Sequence, residues 1–234
     1  MNTSIYKTGF WFSLLAFIAM ATYTIVQLMQ ILRWIQFPFD EILIYGSSLC
    51  IVVPYLLAIL ALHYTVSKEK KYWTHSAVLL SVIYAVFVTA NYVVQLATVL
   101  PQKINGTLAS VSVLDQTPHS MFWNFDAIGY ICMGLASLAL VPAFAKQGFE
   151  KWVRLSMLVH ACVTPLIAIV YFYPHYSEKL LLLGFPWGIT APLSMLMLAL
   201  YFRKQIKEAK FIQGIINFTT TKNVLQQQFR IKDN

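Results

Sequence analysis

Asp126 is the residue of this chain best placed to do chemistry. It lies in HSMFWNFDAIGY, His119 to Tyr130, as an acid near the start of an otherwise apolar run. Tyr130 follows it by four residues and so shares its helical face. A carboxyl group in such a setting can hold a proton, a cation or an amine. His160 is the second titratable group deep in an apolar run, and together the two could act as acid and base. Asn91 and Gln95 form a further pair at helical spacing, with Tyr92 beside them. Gln27 and Gln30 recur in the first apolar run, and Trp187 and Thr190 stand in LGFPWGIT. Polar groups inside a membrane are costly, so each either bonds to another helix or serves a ligand.

The elements that must position these groups are membrane helices. Hydrophobic residues make up 59% of the 234-residue chain and charged residues 11%, against about half and a quarter in soluble domains. Six apolar runs have bilayer length, over roughly 10–34, 42–66, 72–100, 120–145, 152–173 and 180–202. Backbone groups in lipid must bond within their own segment, so the runs are helices and the fold class is an all-α membrane bundle. Residues 1–203 are read as the bundle. Residues 204–234 are read as a cytoplasmic amphipathic helix with a flexible tail, because Phe202, Ile206, Ala209, Ile212 and Ile216 recur at helical spacing among lysines.

Charge sets the orientation. Fourteen of the 17 basic residues precede the first run, follow the last, or lie in the loops near 68–71 and 146–154. That asymmetry puts both termini in the cytoplasm. The six tryptophans fall near run ends, where an indole sits between tails and headgroups. In this frame Gln27, Gln30, Asn91, Gln95, Asp126, Tyr130 and Trp187 all lie in the outward halves of their helices. The expectation is one polar and aromatic pocket beneath the outer leaflet. If the fourth helix starts near Ser120, Asp126 lies roughly 9 Å below the surface. At mid-bilayer a charged Asp would cost about 2.5–3.5 kcal/mol, so the shallow position lowers that cost.

The remaining features are weaker guides. Pro54, Pro142, Pro165 and Pro192 fall within runs and can bend helices. Cys50, Cys132 and Cys162 are read as small buried residues with no disulfide or zinc spacing. The loop Pro101–Ser120 is either a connector or a flap over the outer mouth, and it holds the sequon Asn105-Gly106-Thr107. His63, His75 and His160 could meet at the inner face as a metal site, although their spacing is not diagnostic. PYLLAILALHY and PLSMLMLALYF look alike, but two stretches rich in Leu and Ala do not make a repeat.

Several classes drop out. No Gly-rich phosphate loop, His-Glu-x-x-His helix or Gly-x-Ser-x-Gly elbow is present. Paired intramembrane carboxylates, a lysine well inside a run and an arginine-rich sensor helix are also missing. The expected protein sits in a cell membrane, a bacterial inner membrane by its general character. It binds or transports a small amphipathic molecule and is not expected to be an enzyme. No cofactor, metal or nucleic acid is expected; the partners are the bilayer, the ligand and a protein neighbour in the membrane. Two alternatives stay open: an enzyme on a lipid or isoprenoid-like substrate using Asp126 and His160, or an accessory subunit of a membrane complex.

Overall fold

The computed structural model describes residues 3–232, with side chains at 4–211 and 213. Eight helices follow in order: α1 (Thr3–Ile31), α2 (Phe39–Thr65), α3 (Lys71–Val94), α4 (Leu100–Ile104), α5 (Met121–Leu140), α6 (Gly148–Phe172), α7 (Glu178–Leu181) and α8 (Phe185–Lys232). No strand occurs among the described residues. Six helical segments are long and apolar enough to cross a bilayer. This is a multi-pass membrane protein built as a helical bundle.

The spanning helices close into a ring. Each packs on its neighbours in the chain, and α8 closes the ring against α1. Phe202 of α8 lies against Gly9 of α1, so the two ends of the chain enter the bundle at one end. The opposite end, called distal below, carries the α1–α2, α3–α5 and α6–α8 connections. Tyr55, Tyr84, Tyr92, Met133, Met195 and Phe202 fill the interior and are fully buried. Val53, Val86 and Leu193 point outward, as lipid-facing side chains do.

Contact between helices rests on small residues, since lipid supplies no hydrophobic push between them. A methyl group added at Gly134 of α5 would fall on the Thr164 hydroxyl of α6. At Gly188 of α8 the facing residue is Thr24 of α1, whose hydroxyl donates to the Gly188 carbonyl at 2.8 Å. Basic residues at the terminal end close α5. Lys70 Nζ donates to the Ala143 carbonyl at 2.7 Å, and Arg154 donates to the Val141 carbonyl at 2.8 Å. Cations there meet orphan carbonyls and the negative end of the helix dipole.

Several expectations change. α1 begins at Thr3, a full turn or more before Phe10. The third span reaches Ile104 through a wide π turn, Gln95–Val99. Pro101 has no N–H for the Ala97 carbonyl and its ring crowds that carbonyl, so the ladder slips there by one residue. The Leu100 amide accordingly bonds to Gln95. Pro142 lies in the short turn Val141–Ala143 that ends α5, rather than inside a helix. The boundary expected at 203 falls inside α8, which runs unbroken to Lys232. The side chains of Ile212 and Ile216, like those beyond residue 213, lie outside the described residues.

Burial corrects the readings of the cysteines and tryptophans. Cys50 and Cys162 are exposed on the bundle's outer surface and Cys132 is half-buried, all three with free thiols. Trp11, Trp34, Trp73 and Trp152 lie on the surface, as interface residues do. Trp123 and Trp187 instead turn inward and are 9% and 6% exposed.

Candidate functional site

The distal end holds two adjoining features, a cleft and a polar chain. The cleft has a volume of about 670 Å³ and opens between α1, α6 and the α7–α8 segment. Its floor is aromatic: Trp187 lies edge-on to Tyr23 at 5.4 Å and to Tyr130 at 5.0 Å between ring centres. Tyr171 forms part of the wall, Ile167, Val170 and Leu181 supply apolar surface, and Gln27 and Gln30 line the α1 side.

Charge collects at the mouth, where Arg33, Glu178 and Lys179 sit. Arg33 has φ +57°, in the left-handed region that a non-glycine residue rarely adopts. The strain belongs to the end of α1. The Arg33 amide donates to Gln30 at 2.9 Å and the Trp34 amide to Met29 at 2.8 Å. This is the Schellman pattern, in which glycine usually takes the position held here by arginine. Tyr176 also faces the cleft; partial burial and the carboxylate of Glu178 hold its hydroxyl above the usual phenol range.

The polar chain lies behind this wall. Lys103 bridges Glu41 at 2.9 Å and Asp115 at 3.0 Å. Gln116, next to Asp115, accepts from Asn91 Nδ2 at 3.0 Å, and the same Asn91 nitrogen reaches Asp126 Oδ1 at 3.3 Å. Tyr171 donates to Asp126 Oδ2 from the far side. Gln95 donates to the Leu114 carbonyl at 2.8 Å and accepts from the Gln116 amide at 3.2 Å. The chain therefore runs from α2 through the 105–120 loop and α3 to α5 and α6. Its bonds at Leu114, Asp115 and Gln116 fasten that loop to the bundle.

Local structure explains why Asp126 stands where it does. Ser120 caps α5 by accepting from the Trp123 amide at 3.2 Å, which starts the helix where the sequence predicts. Asp126 is then 4% exposed, drier than its shallow position suggested, because the loop and α6 cover it. Asn124, two residues earlier, faces outward and takes no part.

The sequence-predicted residues thus fall into two groups. Gln27, Gln30, Tyr130 and Trp187 line the cleft, while Asn91, Gln95 and Asp126 stand behind it. Gln27 accepts from Tyr23 of its own helix at 2.7 Å, and Gln30 donates to Asp40 of α2 at 3.2 Å. Tyr130 touches both groups, since its hydroxyl meets that of Tyr92 at 3.2 Å. Tyr171, Tyr23 and the pinned loop were missed by sequence reasoning. Tyrosines at the ends of apolar runs look like ordinary interface residues, so little in the sequence marks Tyr171.

His160 lies near the floor. Its Nδ1 meets the Thr190 hydroxyl at 3.1 Å, and its ring lies 6.4 Å from that of Trp187. The path from His160 to Asp126 runs through the rings of Trp187 and Tyr130. The His63 and His75 rings lie 5.6 Å apart, tilted at 53°, at the terminal end of the bundle. Among the described residues no group of three His, Cys, Asp or Glu side chains could hold a metal ion. No family model, no curated protein and no solved structure matches this chain.

Proposed function

We propose that this protein binds a small amphipathic molecule in the distal cleft, taken up from the outer side of the membrane and open to being carried across it. The observation that supports the reading is the cleft itself. A cavity of about 670 Å³ has a floor of Tyr23, Tyr130 and Trp187 and charged residues only at its mouth. Pockets of that size with apolar walls and a few polar groups suit small molecules. An apolar body would lie along Ile167, Val170 and Leu181. The outer placement follows from the basic residues at the opposite end of the bundle.

Gly184 offers a direct test. A Cβ there would meet only Ile167 and Val170, at 3.6 and 4.0 Å, which is ordinary contact. Gly184 lines the cleft, so the side chain of Gly184→Leu should take up part of its space. Purified protein in mild detergent is to be melted with a fatty acid, a fatty alcohol, an alkylamine and a lysophospholipid. At least one should raise the melting temperature of the wild type and fail to do so for Gly184→Leu. No shift from any of them, or equal shifts in both proteins, would overturn the proposal.

A further inference from the structure

Nearly every polar group around the cleft floor has a partner. Tyr23 donates to Gln27 at 2.7 Å, Thr24 donates to the Met20 and Gly188 carbonyls, Tyr130 pairs with Tyr92, and Tyr171 donates to Asp126. Trp187 and His160, on rings that lie side by side, each keep one atom without a partner. The Trp187 indole is 6% exposed and its Nε1–H has no partner. His160 is 2% exposed and its Nε2 has none either.

The character of Nε2 follows from its neighbours. Thr190 gives its hydroxyl hydrogen to the Pro186 carbonyl at 2.9 Å. With that hydrogen given away, the Thr190 oxygen is assigned as the acceptor at 3.1 Å from His160 Nδ1, which places the ring proton on Nδ1. Nε2 is then a bare acceptor. The Trp187 and His160 rings lie 6.4 Å apart at 61°. So a donor and an acceptor without partners stand on adjacent rings, at a depth where lipid offers nothing to bond.

We infer that the ligand of the cleft is a neutral, largely apolar molecule bearing a hydroxyl group. The hydroxyl oxygen accepts from Trp187 Nε1 and its hydrogen goes to His160 Nε2. The apolar body lies along Ile167, Val170 and Leu181 toward the mouth. This rests on the reading of the cleft as a ligand site. A hydroxyl satisfies both atoms, whereas an ether or ketone satisfies only the donor and a hydrocarbon neither. Trp187 forms part of the floor and His160 lies behind it, so the hydroxyl end enters first and the indole turns to admit it. Asp126 stays out of the contact, because its two oxygens are engaged by Asn91 and Tyr171.

The test compares farnesol with its methyl ether on the full chain in mild detergent, with affinity read by calorimetry. The alcohol should bind the wild type about tenfold more tightly, the weight of one well-made hydrogen bond. His160→Phe should bring the two affinities together while leaving that for the ether in place, whereas Trp187→Phe should weaken both and keep the gap, because alcohol and ether alike accept from the indole. The wild-type comparison needs no variant, so it stands even if a substitution disturbs folding. Equal affinities in the wild type overturn the hydroxyl inference and leave the cleft as a ligand site. If neither compound binds, and the amphiphile melting experiment is also flat, both readings fall.

Discussion

Tyr171 of α6 donates its phenolic hydrogen to Asp126 of α5 while its ring forms part of the cleft wall. One side chain thus belongs to the cleft and to the polar chain behind it. Whatever moves the wall at Tyr171 is felt by Asp126, and through Asn91 and Gln116 by the loop over α3.

That contact sets the first prediction. Tyr171→Phe and Asp126→Asn should each destabilise the folded bundle by about 1–2 kcal/mol, the upper range for bonds between membrane helices. The double variant should cost less than the sum, because both changes remove the same bond. Reversible unfolding in mixed micelles measures the cycle. Strict additivity would remove the pairing from the account.

The loop gives the second prediction. Lys103 holds two carboxylates, and its side chain is 18% exposed. Lys103→Met leaves Glu41 and Asp115 facing each other without a cation, a loss of about 1–3 kcal/mol. The segment 105–120 should then be cut faster by an added protease than in the wild type, while the six spans stay protected. Unchanged cleavage would mean that the bonds from Asn91 and Gln95 hold the loop without Lys103.

A third prediction tests the close approach of α5 and α6. Gly134→Ala places a methyl group on the Thr164 hydroxyl. The helices must separate, at a cost of about 1–3 kcal/mol for an overpacked contact. Thr164→Ala in the same protein should recover part of the loss, since it removes the atom struck first. A lowered melting temperature that the second change does not relieve would point to backbone strain instead.

Thiol labelling tests the direction in which the helices face. Cys50 and Cys162 are exposed, midway along α2 and α6, and Cys132 is half-buried. In bilayers the first two should react with a membrane-soluble maleimide and resist a charged, impermeant thiol reagent. Cys132 should react more slowly. Rapid attack by the charged reagent on either exposed cysteine would place that face against water.

The sequence alone was sufficient for the class of object. Runs of bilayer length dictate helices, because lipid cannot satisfy a bare backbone, and six such helices are present. Ser120 was legible as the start of α5, because an N-cap is a local signal. That Gln27, Asn91, Asp126 and Trp187 lie toward the end of the bundle away from the termini was legible too, since position along a helix follows from counting residues. Which way a side chain turns around its helix was not legible. In lipid both faces of a helix are apolar, so hydropathy carries little rotational signal. Cys50 was for that reason expected to be buried and is exposed. Only the closure of α8 onto α1 brought Tyr23, Tyr130 and Trp187 into one floor. Only the folding of the 105–120 loop onto α3 gave Asn91 and Gln95 their loop partners, and only the packing of α6 on α5 brought Tyr171 to Asp126. Those contacts join residues far apart in the chain, and they are decided by how six helices pack rather than by anything local to one of them.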